Sequence, residues 1–185
     1  MIFTSTPVTG AYLVDIEPKQ DERGFFARVS CENEFNSACI NSMFKQCNMQ
    51  YNTRKGTLRG MHFQCGLYAE EKLIKCTRGA IYDVIVDITP DSPTYRQWFG
   101  AELNDQNRRM MYVPKNAAHG YLALTDASEV FYLVTQFYAP EYERGVRFDD
   151  PAFGIIWPDA GPLTMSEKDR SWPMVYHSEP MLAGV

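Results

Sequence analysis

The sequence predicts an all-β fold, an antiparallel jelly-roll barrel or sandwich with short peripheral helices. Three observations carry that expectation: strand-like runs recur at roughly ten-residue spacing, Gly, Pro, Asp and Asn turn signals separate them, and helical periodicity is scarce. The chain has 185 residues, 45% of them hydrophobic, and no Pro/Gly/Ser-rich linker, which reads as one domain over residues 1–185. A net charge of -5 with scattered Lys and Arg argues against a nucleic-acid surface. With no leader-like or membrane-length apolar run, the expected location is the cytoplasm, away from the membrane. The five cysteines include no CxxC pair, which fits reduced thiols rather than a disulfide frame or a zinc site.

Taken in order, Asp21-Glu22-Arg23-Gly24 is a turn and Phe25 to Val29 the strand it feeds, the end of a hairpin leading into an edge or interface strand. Glu32 to Phe44 lacks β-branched density and fits a short helix or a loop. From Gln46 to Asn52, amides recur at alternate positions, so a strand presents Gln46, Asn48, Gln50 and Asn52 on one face, to water or to something polar.

The next stretch, Lys55 to Gln64, organises the chain. As a flat strand it sets Leu58, Gly60, His62 and Gln64 on one face, and Thr57, Arg59, Met61 and Phe63 on the other. Lys72 is a cation that a neighbouring strand could bring beside His62. A lone histidine in an apolar run is commonly a hydrogen-bonded core residue; a histidine and lysine together can also serve a pocket.

Ala80 to Ile88 is the clearest strand. Tyr82, Val84, Val86 and Ile88 form one apolar face, and Asp83 and Asp87 share the other with Ile81 and Ile85. An aspartate between isoleucines is costly unless it meets a cation, a histidine or backbone donors. Trp98 to Leu103 and Arg109 to Val113 read as strands, and His119 as a loop residue before a strand at Tyr121 to Leu124. Glu129 to Gln136 is a strand with Val130, Tyr132 and Val134 on one face, where the Tyr132 hydroxyl needs a partner. Ser166 to Asp169 reads as the start of a short helix, and the tail from Pro173 has no strong pattern.

These pieces together resemble the dTDP-4-dehydrorhamnose 3,5-epimerase family, sugar-nucleotide epimerases of the cupin type. The resemblance rests on Asp21 to Phe26, Gln46-x-Asn48, Lys55-Gly56-x-Leu58-Arg59-Gly60-Met61-His62-Phe63-Gln64, Lys72-Leu73-Ile74 and Asp83-x-x-x-Asp87. It continues through Ser92-Pro93-Thr94, Pro114 to Gly120, Tyr138 to Pro151, Trp157-Pro158 and Ser166-x-Lys168-Asp169. It implies a cupin-like jelly-roll homodimer whose barrel takes a nucleotide-diphosphate sugar, with no cofactor and no metal. It also implies His62 as a base oriented by Asp169, Tyr132 as an acid, Lys72 as a stabilising charge and His119 nearby, with Asp83 behind them. Arg23 and Arg59 fall where the family grips pyrophosphate, while Phe26, Tyr138, Gln46 and Asn48 fall in its substrate-binding segments.

The chemistry agrees with that resemblance. A 4-keto sugar has acidic C–H bonds at C3 and C5, so epimerisation wants a base on one ring face, an acid on the other and a cation at the enolate oxygen. An imidazole, with an ordinary pKa near ~6.5, suits the base. A metal-dependent cupin would want a His pair two residues apart, but Gln64 stands there, a poor ligand.

Arg28 stands where the family carries an acid, Gln50 and Asn52 replace serines, Gln136 replaces Asp and Asn116 a glycine. These departures suggest the same chemistry on an altered substrate: a CDP- rather than dTDP-linked sugar, or inversion at one carbon only. The alternatives are a catalytically idle sugar-nucleotide binding protein and a 3,4-ketoisomerase on the same fold. The expected destination is a deoxysugar of an envelope glycan such as O-antigen.

Overall fold

Period-two alternation and turn residues produce thirteen strands among the described residues of the computed structural model, which are 1–115 and 117–175. In chain order they are β1 (Ile2–Ser5), β2 (Tyr12–Asp15), β3 (Lys19–Asp21), β4 (Gly24–Phe26), β5 (Gln46–Asn52), β6 (Leu58–Gln64) and β7 (Lys72–Arg78). They continue as β8 (Ala80–Asp87), β9 (Trp98–Asn104), β10 (Met110–Val113), β11 (Ala117–Ala123), β12 (Ser128–Val134) and β13 (Glu143–Gly145). Two short helices, α1 (Glu32–Ser37) and α2 (Glu167–Arg170), lie outside the sheets.

A six-stranded sheet in the order β1-β2-β10-β7-β12-β5 faces a five-stranded sheet in the order β13-β6-β11-β8-β9, and every pairing within them is antiparallel. Between the sheets sit Ile74, Met111 and Val130 from one side and Ile81, Ile85 and Leu103 from the other, all buried. The outer face of the five-stranded sheet, with Met61, Phe63, Val84 and Val86, is covered by Val146 and Phe153. On the other flank α1 drives Phe35 against Phe3, Phe44 and Tyr112. Phe35 is fully buried, which is worth ~1.5–3 kcal/mol.

The strand over 80–88 has the two faces its alternation predicts: Val84, Val86 and Ile88 outward, Ile81 and Ile85 inward. Three expectations are corrected. His119 lies within β11 rather than in a loop, because Ala117 to Ala123 pairs along its whole length with β8. His62 and Lys72 come from opposite sheets, not neighbouring strands.

The third correction concerns β6, which does not alternate cleanly. His119 pairs with His62 but Tyr121 with Arg59, so three steps on β6 match two on β11. That extra residue puts Arg59 and His62 on the same inner wall, against the flat-strand expectation. Gly60 permits it: its φ is +131°, and a Cβ there would lie 2.5 Å from Gly120 Cα.

The hairpin β3–β4 stands apart as its own two-stranded unit. Strands β1 and β2 went unread in the sequence, being four residues each without sustained alternation. Asn116 and the tail beyond Val175 lie outside the described residues.

Candidate active site

The open edge between the sheets leaves a cleft of three adjoining lobes that all reach Gln50 and His62. A small inner lobe is walled by Lys72, Ile74, His119, Tyr121 and Tyr132. The widest, about 460 Å³, carries Gln46, Asn48, Glu70, Tyr138 and Glu143 at its rim. A third, about 360 Å³, runs past Arg59 to Thr164, Ser166, Lys168 and Asp169.

His62 projects from β6 with its Nε2 2.6 Å from Asp169 Oδ1. Asp169 sits in α2, whose first turn is capped by Ser166 Oγ accepting from the Asp169 amide. Burial works against the Asp169 carboxylate. The hydrogen bond and charge of His62, with the Ser166 and Gly60 donors, outweigh it and hold its pKa below the usual value.

The cross-strand partner of His62 is His119, whose Nε2 lies 2.7 Å from Asp83 Oδ1. Asp83 is buried and its Oδ2 has no hydrogen-bond partner among the described residues. Desolvation pushes its pKa up, while His119 and Lys72 pull it back. Of the partners open to Asp83 in the sequence, a cation, a histidine or backbone donors, the structure supplies the histidine, His119.

Tyr132 and Lys72 face this wall from β12 and β7. Burial, then the nearby charge of Glu70, raises the Tyr132 pKa, so its hydroxyl keeps its proton. Lys72 Nζ is 3.2 Å from Glu70 Oε1, both side chains almost enclosed. Glu70 Oε2 in turn accepts from Gln64 Nε2 at 3.0 Å.

The amide face predicted for Gln46 to Asn52 is real and turns inward. Asn52 Oδ1 accepts from Arg59 Nε at 2.9 Å, and Gln46 Oε1 accepts from the Tyr138 amide at 2.8 Å. The Tyr121 hydroxyl, its pKa pushed up to about 12 mainly by burial, donates to Gln50 Oε1 at 2.9 Å. At the rim Tyr138 donates to Glu143 Oε2, and Lys168 Nζ reaches the same oxygen at 2.5 Å.

The structure therefore gathers His62, Asp169, Tyr132, Lys72, His119, Asp83, Arg59, Gln46, Asn48 and Tyr138 at one cleft. It does not bring Arg23 or Phe26 there. Both lie on the exposed hairpin, Arg23 paired with Asp21 and Phe26 68% exposed.

A family model described as dTDP-4-dehydrorhamnose 3,5-epimerase matches residues 5–177. The chain belongs to that family. It is 39% identical over 173 residues to the dTDP-4-dehydrorhamnose 3,5-epimerase of Sinorhizobium fredii, covering 94% of this chain and 89% of the relative. The crystal structure of the dTDP-4-dehydrorhamnose 3,5-epimerase of Elizabethkingia anophelis superposes with a TM-score of 0.91 at 34% identity, over 95% of this chain and 97% of that one. That of ChmJ, a 3'-monoepimerase of Streptomyces bikiniensis in complex with dTDP-quinovose, superposes at 0.84 and 29% identity, over 92% and 87%. As a member of the dTDP-4-dehydrorhamnose 3,5-epimerase family with this cupin-like all-β fold, the chain is an isomerase.

Its departures from the family pattern fall in different places. Arg28 pairs with Glu34, away from the cleft, and Gln136 accepts from Lys45 Nζ at 2.7 Å. Gln50 and Asn52 stand in the cleft itself or directly behind its wall. Sequence reasoning gave no role to Glu70, Gln64 or Glu143. Their signal was weak, since a carboxylate or amide two residues from a named lysine or histidine, like Glu70 and Gln64, or in a turn, like Glu143, is usually solvated.

Proposed function

We propose that this chain epimerises a nucleotide-linked 4-keto-6-deoxyhexose at C3, C5 or both, through an enolate. One observation carries the reading: His62 on one sheet, bound to Asp169 of α2, faces Tyr132 and Lys72 on the other sheet across a cleft. Asp169 accepts from Nε2–H, leaving Nδ1 with the lone pair that takes the ring proton. The electron pair of that C–H bond moves into the ring, and Lys72 meets the negative oxygen that forms. Tyr132 returns a proton to the carbon from the opposite face, and the enolate collapses to the ketone.

Acid–base assistance is worth ~10²–10⁴-fold, below the ~10⁶-fold of even a modest enzyme. Lys72 and the enclosed cleft supply the remainder. Glu70, 3.2 Å from Lys72 Nζ, gives the enclosed lysine a hydrogen-bonded partner of opposite charge.

Arg59 and Lys168 provide cations for the diphosphate, and Tyr138 a ring for the base. A second copy of the chain supplies Arg23 and Phe26, so the working form is a homodimer. The substrate class follows the Sinorhizobium relative's name and the dTDP-quinovose bound to ChmJ. The inward Gln50 and the monoepimerase neighbour favour an altered specificity, in the nucleotide or in the number of centres inverted. The five free cysteines and the lack, among the described residues, of a helix long and apolar enough to cross a membrane support work in the cytoplasm. The product would serve an envelope glycan such as O-antigen.

Solvent deuterium incorporation into dTDP- and CDP-linked 4-keto-6-deoxyglucose, followed by NMR at C3 and C5, tests this. Exchange at either carbon, lost in His62→Ala, is the expected result. No exchange despite tight binding would favour an idle binding protein, and carbonyl migration to C3 a ketoisomerase.

A further inference from the structure

We propose that Gln50 is a specificity-determining residue whose amide nitrogen donates to an acceptor oxygen at the junction of the sugar and its phosphate. The inference rests on the epimerase reading and names a contact that reading leaves open.

Gln50 is common to all three lobes, with His62 as its counterpart on the opposite sheet. On one side lies the inner lobe with Lys72, His119 and Tyr132, which takes the ring. On the other lies the lobe with Thr164, Ser166 and Lys168, which takes phosphate, and Arg59 lines both. The bond joining ring to phosphate passes Gln50.

The orientation of the amide is set from behind. The Tyr121 hydroxyl donates to Oε1, so the carbonyl end is already engaged. Nε2 has no acceptor among the described residues and is the end left to a ligand. The one Tyr121 proton goes to Gln50 Oε1, at 2.9 Å the nearer of two acceptors, and Asn52, the next amide along the face, is committed elsewhere: Oδ1 takes Arg59 Nε and Nδ2 gives to Ser128. Of the two, only Gln50 has a donor to offer. The shared ligand chemistry is an oxygen acceptor, either a phosphate oxygen or the sugar 2-hydroxyl.

The test uses the full chain with Gln50→Leu and with Gln50→Glu, which keeps the acceptor for Tyr121 while replacing the donors by a charge. Calorimetry employs dTDP-glucose or CDP-glucose, whichever the wild type binds more tightly; lacking the ketone, neither forms the enolate. Rates are measured with the matching 4-keto-6-deoxyglucose nucleotide and its 2-deoxy analogue. Gln50→Leu should weaken glucose-nucleotide binding about fivefold to tenfold, the worth of one hydrogen bond, and raise KM alike with kcat little changed. Gln50→Glu should weaken it further by meeting the phosphate with like charge.

Equal losses with both keto sugars assign the phosphate oxygen; a loss confined to the 2-hydroxylated sugar assigns that hydroxyl. Unchanged glucose-nucleotide binding in both variants, or no binding by the wild type, overturns the proposal. Binding losses as expected in a wild type that catalyses no exchange overturn the epimerase reading and leave the Gln50 contact standing.

Discussion

Replacing Asp169 by Asn isolates the contribution of the carboxylate to the base proposed at His62. The side chain keeps its size, and the Ser166 cap is untouched because it binds the Asp169 backbone amide. What disappears is a charge-assisted hydrogen bond of 2.6 Å to His62 Nε2 from a carboxylate only 4% exposed. Such a bond contributes ~1.5–3 kcal/mol, and at ~1.36 kcal/mol per tenfold the loss is about 10- to 150-fold in kcat. KM should change little, because the diphosphate cations and the rim aromatic are not disturbed. The assay is initial deuterium uptake at C3 and C5 under saturating substrate, beside a thermal melt that verifies folding. A folded Asp169→Asn variant with kcat within twofold of wild type would refute the role of the pair.

Three further outcomes are expected. Removing the charge of Glu70 with Glu70→Gln should lower the Tyr132 pKa toward the ordinary tyrosine value, since burial and then Glu70 hold it up; ultraviolet pH titration against a Tyr132→Phe blank reads the change, and an unmoved phenol would refute it. Gly60→Ala puts a Cβ 2.5 Å from Gly120 Cα at a φ of +131°, which should cost ~1–3 kcal/mol and lower Tm by roughly 2–12 °C in a calorimeter. The Asp169 pKa is depressed in the folded state, so its contribution to stability is full above the unfolded value near ~3.9 and is lost as pH falls through the folded one; acid denaturation of Asp169→Asn should lack that component.

The alternating runs made much of the fold legible. The stretch from Ala80 to Ile88 shows both of its faces in its letters, and the amide ladder from Gln46 to Asn52 announced a polar wall. Asp83 was readable as needing a partner because an unpaired carboxylate among isoleucines is too costly, and that partner is His119. The placement of Arg59 was not readable: alternation assumes a regular ladder, and the slip at Gly60 exists only when β6 is paired with β11. The Glu70 to Lys72 pair was hidden for a related reason, since nothing local says that a chain bend will enclose both. Arg23 and Phe26 were picked out by resemblance, and their distance from this chain's own cleft is a property of the exposed hairpin that carries them.

The added residue in β6 has a metrical consequence. A regular strand delivers a side chain to one wall at every second position, so a phosphate anchor and a proton acceptor on one strand stand an even number of residues apart. Here Arg59 and His62 are three apart, a span of roughly 10 Å at most along a strand. Both ride on one stiff backbone segment, which serves as a ruler laid beside the substrate. If the proposed roles of Arg59 and His62 hold, a nucleotide sugar gripped by its phosphates would have its ring carbons read off at a fixed distance from the imidazole, and which carbon lies at the mark would depend on that spacing. Lengthening or straightening β6 by one residue would therefore change the carbon presented before it changed the strength of the grip.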